Sequence, residues 1–183
     1  YSIIDVTDKA KKDRLSVLCD NQPFIKNGSM VLVFVANSKK WYDVYNKVNE
    51  KDLKPSLADF YLSMADAHIA AENAVIAAES LGVGSCYVGD IVENYEKLKE
   101  LLSLPKYINP ICMLVFGYKK DDNVAPKARR FNLEDVVFEN TSEGVTLAGT
   151  LVTPCDANDS TPVVLMVSGS GLQDRNETLM QHS

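Results

Sequence analysis

Three short stretches carry residue types that could hold a ligand. The first is residues 82–90, GVGSCYVGD, in which Gly82, Gly84 and Gly89 bracket Ser85, Cys86, Tyr87 and Val88. Closely spaced glycines let a backbone approach a ligand where a Cβ would collide. The plainer reading is a turn with a short buried strand. The second stretch is Lys127-Ala128-Arg129, followed by Arg130. In extended backbone a Lys-x-Arg sends both side chains to the same side, where they can share one phosphate. The plainer reading there is a solvated basic loop. The third is Asp20-Asn21-Gln22-Pro23-Phe24, a polar turn in which Gln22 reads, on its own, as an exposed loop residue.

A long helix has to position the first of these. Residues 57–81 contain no glycine or proline and are rich in alanine. Ser56 and Asp59 form a capping box, with Pro55 just before it. The expected helix has roughly 25 residues and a length of about 37 Å at 1.5 Å per residue. Its polar residues recur at intervals of seven: Asp59, Asp66, Asn73, Ser80, widened by Glu72 and Glu79. Leu62, Ala65, Ile69 and Ile76 lie on one side, Met64, Ala71, Val75 and Ala78 on another. So wide an apolar arc predicts burial on more than one face. Gly82 ends the helix as a C′ glycine.

The other elements follow in chain order. Residues 2–6 read as a strand, and Thr7 or Asp8 can cap a helix over residues 9–18 with Ala10, Leu15 and Leu18 inward. Residues 30–36 (MVLVFVA) are a continuous apolar run rich in β-branched residues, which predicts a central strand buried on both faces. Residues 39–49 read as a helix whose Trp41, Tyr42, Val44, Tyr45 and Val48 are expected in the core. Residues 95–102 form a second amphipathic helix with Leu98, Leu101 and Leu102 inward, ended by Pro105. Residues 110–117 (PICMLVFG) are another buried strand. Strands alternating with helices predict a layered α/β fold, with the long helix central and the runs 30–36 and 112–116 as neighbouring strands.

Composition narrows the class. The chain has 183 residues, 46% hydrophobic and 24% charged, ordinary values for a globular protein. A net charge of −6 argues against non-specific nucleic-acid binding. The longest apolar runs are far too short to span a bilayer. The four cysteines, Cys19, Cys86, Cys112 and Cys155, have neither metal spacing nor a CxxC pair and read as buried thiols of a cytosolic protein. The chain starts at Tyr1 already in a strand and stops just after a glycine loop, so a fragment is expected.

The run AAENAVIAAESLGVGSCYVGD resembles the central helix and flavin loop of FMN-dependent nitroreductases, within them most nearly the oxygen-insensitive NADPH nitroreductases and NADPH-flavin oxidoreductases. The resemblance extends to residue 141, including Glu139-Asn140-Thr141. It implies a sheet flanked by helices and FMN held noncovalently at a homodimer interface made partly by the long helix. Gln22 and Phe24 match the family's flavin-contacting Gln and the aromatic beside the ring. Tyr87, Gly89 and Asp90 fall in its flavin loop, and Lys127 and Arg129 match the Lys-x-Arg that binds the FMN phosphate after a Gly-Tyr strand end, here Gly117-Tyr118. The implied activity is NADPH- or NADH-dependent reduction of a nitroaromatic, a quinone or free flavin by ping-pong hydride transfer in the cytoplasm. The flavin does the chemistry, so no protein catalytic residue is implied. Asp90 departs from the pattern: the nearest relatives have a second glycine there, and a carboxylate at a flavin edge could weaken binding or shift the potential. The family's N-terminal Arg-rich helix and C-terminal arm have no counterpart in the chain.

Beyond residue 141 the composition changes. Residues 144–154 (GVTLAGTLVTP) alternate as a strand, and residues 163–167 (VVLMV) form a buried strand running into Ser168-Gly169-Ser170-Gly171. Residues 142–183 resemble the first strands of an α/β-hydrolase of the esterase or peptidase type. The Gly-x-Ser-x-Gly elbow is missing and no Asp/His pair follows. The expected organisation is therefore a nitroreductase-like FMN-binding segment over 1–141 and a partial hydrolase-like segment over 142–183. The alternatives are a hydrolase, or a non-catalytic fusion of two pieces.

Overall fold

Two strands with continuous apolar runs, residues 30–36 and 110–116, have to be covered on both sides, and the fold follows from that. The computed structural model describes residues 1–118 and residue 137. All but residue 137 belong to the unit Tyr1–Asp122. Lys127, Arg129 and the whole of 142–183 lie outside the described residues.

Strand β1 (Ser2–Asp5) is followed by helices α1 (Lys9–Leu18) and α2 (Pro23–Asn27) and strand β2 (Met30–Asn37). Helices α3 (Lys39–Asn49) and α4 (Leu57–Ser80) lead to β3 (Gly84–Val88), a 3₁₀ turn (Gly89–Val92), helix α5 (Tyr95–Leu101) and strand β4 (Ile108–Gly117). The strands form one sheet in the order β1-β2-β4-β3, every ladder antiparallel. β2 and β4 are neighbours, as expected. Val31 and Val33 stand opposite Val115 and Met113, while Leu32 and Phe34 stand opposite Leu114 and Cys112. The register slips between Phe34 and Val35, which lies opposite Pro110. A proline has no N–H to give a ladder, so a bulge beside it is the natural break.

Each sheet face has its own helical layer. Against Val31, Val33, Val35, Val88, Met113 and Val115 pack Leu15, Leu18, Cys19, Ile25, Ile91 and Leu98. The opposite face belongs to α4, which sets Ala67, Ala71 and Ala78 against Phe34, Cys112, Leu114 and Phe116. Alanine at these contacts lets the helix lie close to the sheet. Each large apolar side chain fully buried this way contributes about 1.5–3 kcal/mol. The ends of α4 are built as the sequence implies. Asp59 N–H donates to Ser56 Oγ at 3.3 Å, and Ser56 N–H to Asp59 Oδ2 at 2.7 Å. At the other end Gly82 takes a φ of +72°. Its N–H bonds to Glu79 O and that of Val83 to Ala78 O, both at 2.9 Å. That pair of bonds turns the chain directly into β3.

Four expectations are corrected. First, α4 buries only one face in the chain: Leu62, Ile69 and Ile76 are 67%, 63% and 58% exposed. A single sheet face can cover only one side of a helix. Second, α3 buries nothing, and Trp41 is 73% exposed. Its stripe at i, i+3, i+4, i+7 is apolar as read, but both faces of β2 and β4 are already occupied. Third, Ala10 is exposed, because α1 turns only its last turn, Leu15, Ser16 and Leu18, into the core. Fourth, Cys86 is exposed on β3, which ends the strand order; Cys19 and Cys112 are buried free thiols. Cys155 lies outside the described residues.

Two glycines test the packing in different ways. A Cβ on Gly28 would stand 2.4 Å from Val115 Cγ1, whereas one on Gly82 would meet nothing within 4 Å. Gly28→Ala should therefore destabilise by about 1–3 kcal/mol through overpacking. Combined with Val115→Ala, the two losses should be clearly less than additive in urea denaturation. Gly82→Ala should cost about 1–2 kcal/mol through its left-handed backbone alone, and Val115→Ala should leave that cost unchanged.

Candidate functional site

The Gln22 turn is fixed before its side chain is considered. Helix α1 ends at Leu18, and Asp20 and Asn21 both take left-handed backbone, φ 57° and 52°. Asp and Asn tolerate that conformation better than most residues. The reversal carries Gln22 back under α1. Its N–H donates to Ser16 O at 2.9 Å, and Ser16 Oγ donates to Gln22 O at 2.7 Å. This exchange explains a serine only 5% exposed at the edge of the core. Gln22 then stands as the N-cap of α2, with Pro23 in its first turn.

The Gln22 side chain is committed as well. Nε2 donates to Cys19 O at 3.0 Å and to Asp90 Oδ2 at 2.7 Å. Gln22 is half-buried, so the reading of an exposed loop residue does not hold. Asp90 sits in the 3₁₀ turn that follows β3. The same junction is held a second time by Asn94 Nδ2, which donates to Leu18 O at 2.8 Å. Gly89, between buried Val88 and Asp90, is exposed, so its backbone is open to a ligand. Thus Gln22, Gly89 and Asp90, far apart in sequence, come together. Phe24 lies in the first turn of α2 and is 38% exposed.

Tyr87 goes elsewhere. Strand alternation puts it opposite Leu114, on the α4 face of the sheet, whereas Val88 faces the other core. Its hydroxyl donates to Glu72 Oε2 of α4 at 3.1 Å. The structure does not bring Tyr87 to the Gln22–Asp90 pair. Lys127 and Arg129 lie outside the described residues, so their relation to this pair rests on sequence.

Burial, then the charges of Asp90 and Glu93, push the Cys19 thiol up to about 12. It is a protonated core residue at neutral pH, not a nucleophile. Beside the 3₁₀ turn opens a cleft of about 480 Å³, walled by Phe60, Met64 and His68 of α4 with Val92, Tyr95 and Ile111. Among the described residues, none of those predicted from sequence lines it. Its signal in sequence was the spacing of four from Phe60 to His68, hidden among the many apolar positions of α4. Among the described residues no cluster of three or more His, Cys, Asp or Glu could hold a metal. No described helix is long and apolar enough to cross a membrane.

The sequence pattern of the Nitroreductase family matches residues 3–118. The chain is 36% identical over 143 residues to the FMN reductase (NADPH) of Bacillus subtilis, covering 77% of this chain and 57% of that protein. It is 34% identical over 141 residues to the oxygen-insensitive NADPH nitroreductase of Salmonella typhimurium, covering 76% and 55%. Among solved structures, NfrA1 of B. megaterium superposes with a TM-score of 0.71 at 34% identity, over 78% of this chain and 58% of that one. The chain spans about half the length of the curated relatives it matches.

Tyr87 gives a titration test. Partial burial, then the hydrogen bond to Glu72 and its charge, push the phenol from 10 up to about 12. The folded state holds this proton more tightly than the unfolded chain. The resulting stabilisation is full below pH 10 and is lost as pH rises towards 12. The hydrogen bond to Asp59 raises Tyr42 as well, so tyrosinate absorbance should show a late-ionising component that shrinks, without vanishing, in Tyr87→Phe. In Glu72→Gln the Tyr87 midpoint should fall but stay above 10, because burial is the larger cause.

Proposed function

Because the chain belongs to the nitroreductase family, we propose that it is the FMN-binding portion of an NAD(P)H-dependent oxidoreductase. When bound, FMN would supply the redox chemistry, taking a hydride from NADPH or NADH and passing it to a nitroaromatic, a quinone or free flavin in a ping-pong cycle. The chain's own residues would bind and orient it. Gln22, Phe24, Gly89 and Asp90 would lie along the ring, with Tyr87 stiffening the strand that leads to them. Lys127 and Arg129 would hold the phosphate. The observation that carries this reading is the 2.7 Å bond from Gln22 to Asp90. It joins the two segments that the family resemblance assigns to the flavin, with the exposed Gly89 backbone beside them. The residues present thus fit the cofactor: an amide side chain and an uncovered glycine at a rigid junction. FMN-binding function is assigned to residues 1–141, and the protein is proposed to work in the cytoplasm. Nothing in the described residues or in the matches above supports the hydrolase alternative.

The test is a flavin titration by fluorescence quenching on the chain and its variants. Charge-assisted contacts are worth about 1.5–3 kcal/mol each. Replacing both Lys127 and Arg129 by Ala should weaken FMN binding by about two orders of magnitude or more, because ~1.4 kcal/mol is tenfold. The loss should be smaller for riboflavin, which has no phosphate. Gln22→Ala should weaken FMN and riboflavin alike. Equal losses for the two flavins in the double variant would remove the phosphate clamp.

The protein is further proposed to be a homodimer built on α4. Leu62, Ile69 and Ile76 recur every seventh residue as an exposed apolar line along about 21 Å of helix. A second copy of the helix would cover it. Ile69→Glu should shift sedimentation from dimer to monomer while leaving the far-UV circular dichroism unchanged. A variant that sediments like the parent chain would move the interface elsewhere.

A further inference from the structure

The amide of Gln22 has one orientation that the surrounding groups permit. Its two neighbours at Nε2, Cys19 O and Asp90 Oδ2, are a carbonyl and a carboxylate. Both can only accept hydrogen bonds, so Nε2 and not Oε1 must face them. An NH2 group has two N–H bonds, and both are spent. The remaining polar atom of the side chain is Oε1, an acceptor, and it takes no hydrogen bond among the described residues. Gln22 is only half-buried, so Oε1 can be reached.

We infer that Asp90 is a positioning residue: by holding Nε2 of Gln22, it presents Oε1 to the ligand and makes the site select a ring edge that donates an N–H. This inference rests on the flavin reading above and sharpens it. An isoalloxazine carries one such donor, the ring N3–H, between two carbonyl oxygens. With Asp90 in place Gln22 accepts from N3–H. Without it, one N–H of Gln22 is released and can instead donate to a neighbouring ring carbonyl, so the demand for a ring donor weakens. The carboxylate thereby has a purpose where a second glycine would leave the amide of Gln22 held only by Cys19 O.

The experiment compares FMN with N3-methyl-FMN, in which that donor is blocked, by fluorescence titration of the full chain. Wild type should bind N3-methyl-FMN about tenfold more weakly, the worth of one hydrogen bond to a site left unpaired. In Asp90→Ala the ratio should fall to about threefold or less. Asp90→Asn should restore most of it, because its Oδ1 can still accept from Nε2. A second readout needs no flavin: the side-chain NH2 protons of Gln22 should exchange slowly in wild type and in Asp90→Asn, and faster in Asp90→Ala. Equal binding of the two flavins by wild type overturns the inference, as does an Asp90→Ala variant that discriminates as well as wild type. Unchanged Gln22 exchange in Asp90→Ala overturns the positioning role even where flavin binds. Failure of wild type to bind either flavin, with the exchange pattern as expected, overturns the flavin reading and leaves the amide's fixed orientation standing.

Discussion

β2 and β4 lie side by side in the middle of the sheet with apolar side chains on both faces, and each face has to be taken out of water. That demand sets the whole arrangement. One face receives several short elements, α1, α2, the 3₁₀ turn and α5, which bring Leu15, Ile25, Ile91 and Leu98 to full burial. The other receives a single long helix. Short elements need many connections, and the connections are where the backbone turns sharply, at Asp20-Asn21, Ser103 and Tyr107. A layer of short pieces therefore produces loops near one another at the sheet's edge, whereas a layer made of one helix produces almost none.

The candidate site is a product of that asymmetry. The loop leaving α1 and the turn leaving β3 belong to the same layer, and they meet where that layer ends. Two bonds hold the meeting: Gln22 to Asp90, and Asn94 to Leu18 O. Ser16 adds a third constraint by fixing the Gln22 backbone in both directions. Each bond alone contributes about 0.5–1.5 kcal/mol, more where the carboxylate takes part. Their larger effect is geometric, since together they leave the Gln22 side chain little rotational freedom. A rigid polar junction beside an uncovered glycine is the kind of support a binding site needs.

How much of this was legible in the sequence depended on whether the signal was local. The capping box at Ser56 and Asp59, the stop at Gly82 and the apolar runs of β2 and β4 are decided by residues within a few positions, and each stands where its pattern put it. Periodicity gave the face of α3 that is apolar but not whether anything covers it, because a stripe such as Trp41, Val44, Tyr45 and Val48 carries no information about its partner. The same limit applied to α4, whose second apolar side is open in the single chain. At the site, family resemblance supplied Gln22, Gly89 and Asp90 as candidates, but no local signal joined them. Gln22 and Asp90 meet only because β3 pairs with β4, β4 with β2, and α1 packs on the same face. The side of the sheet taken by Tyr87 was likewise fixed by ladder register, which places it opposite Leu114.

The distribution of side-chain size around α4 carries the argument one step further. Toward the sheet the helix presents alanine, and away from it Leu62, Ile69 and Ile76. Small residues bring a helix axis close to a strand layer that supplies its own bulk, here Phe34, Leu114 and Phe116. Large residues are needed where the opposing surface is another helix or an uneven groove, because there the bulk must come from both sides. Were the outer face meant for water alone, polar residues at those three positions would serve helix formation equally well and avoid exposing apolar surface. Charged and amide residues of α4 flank that line on both sides, Asp59, Asp66 and Asn73 along one edge and Glu72 and Glu79 along the other. The helix therefore presents alanine to the sheet and, on its far side, an apolar line rimmed by polar residues. That line is suited by its chemistry to a second apolar partner.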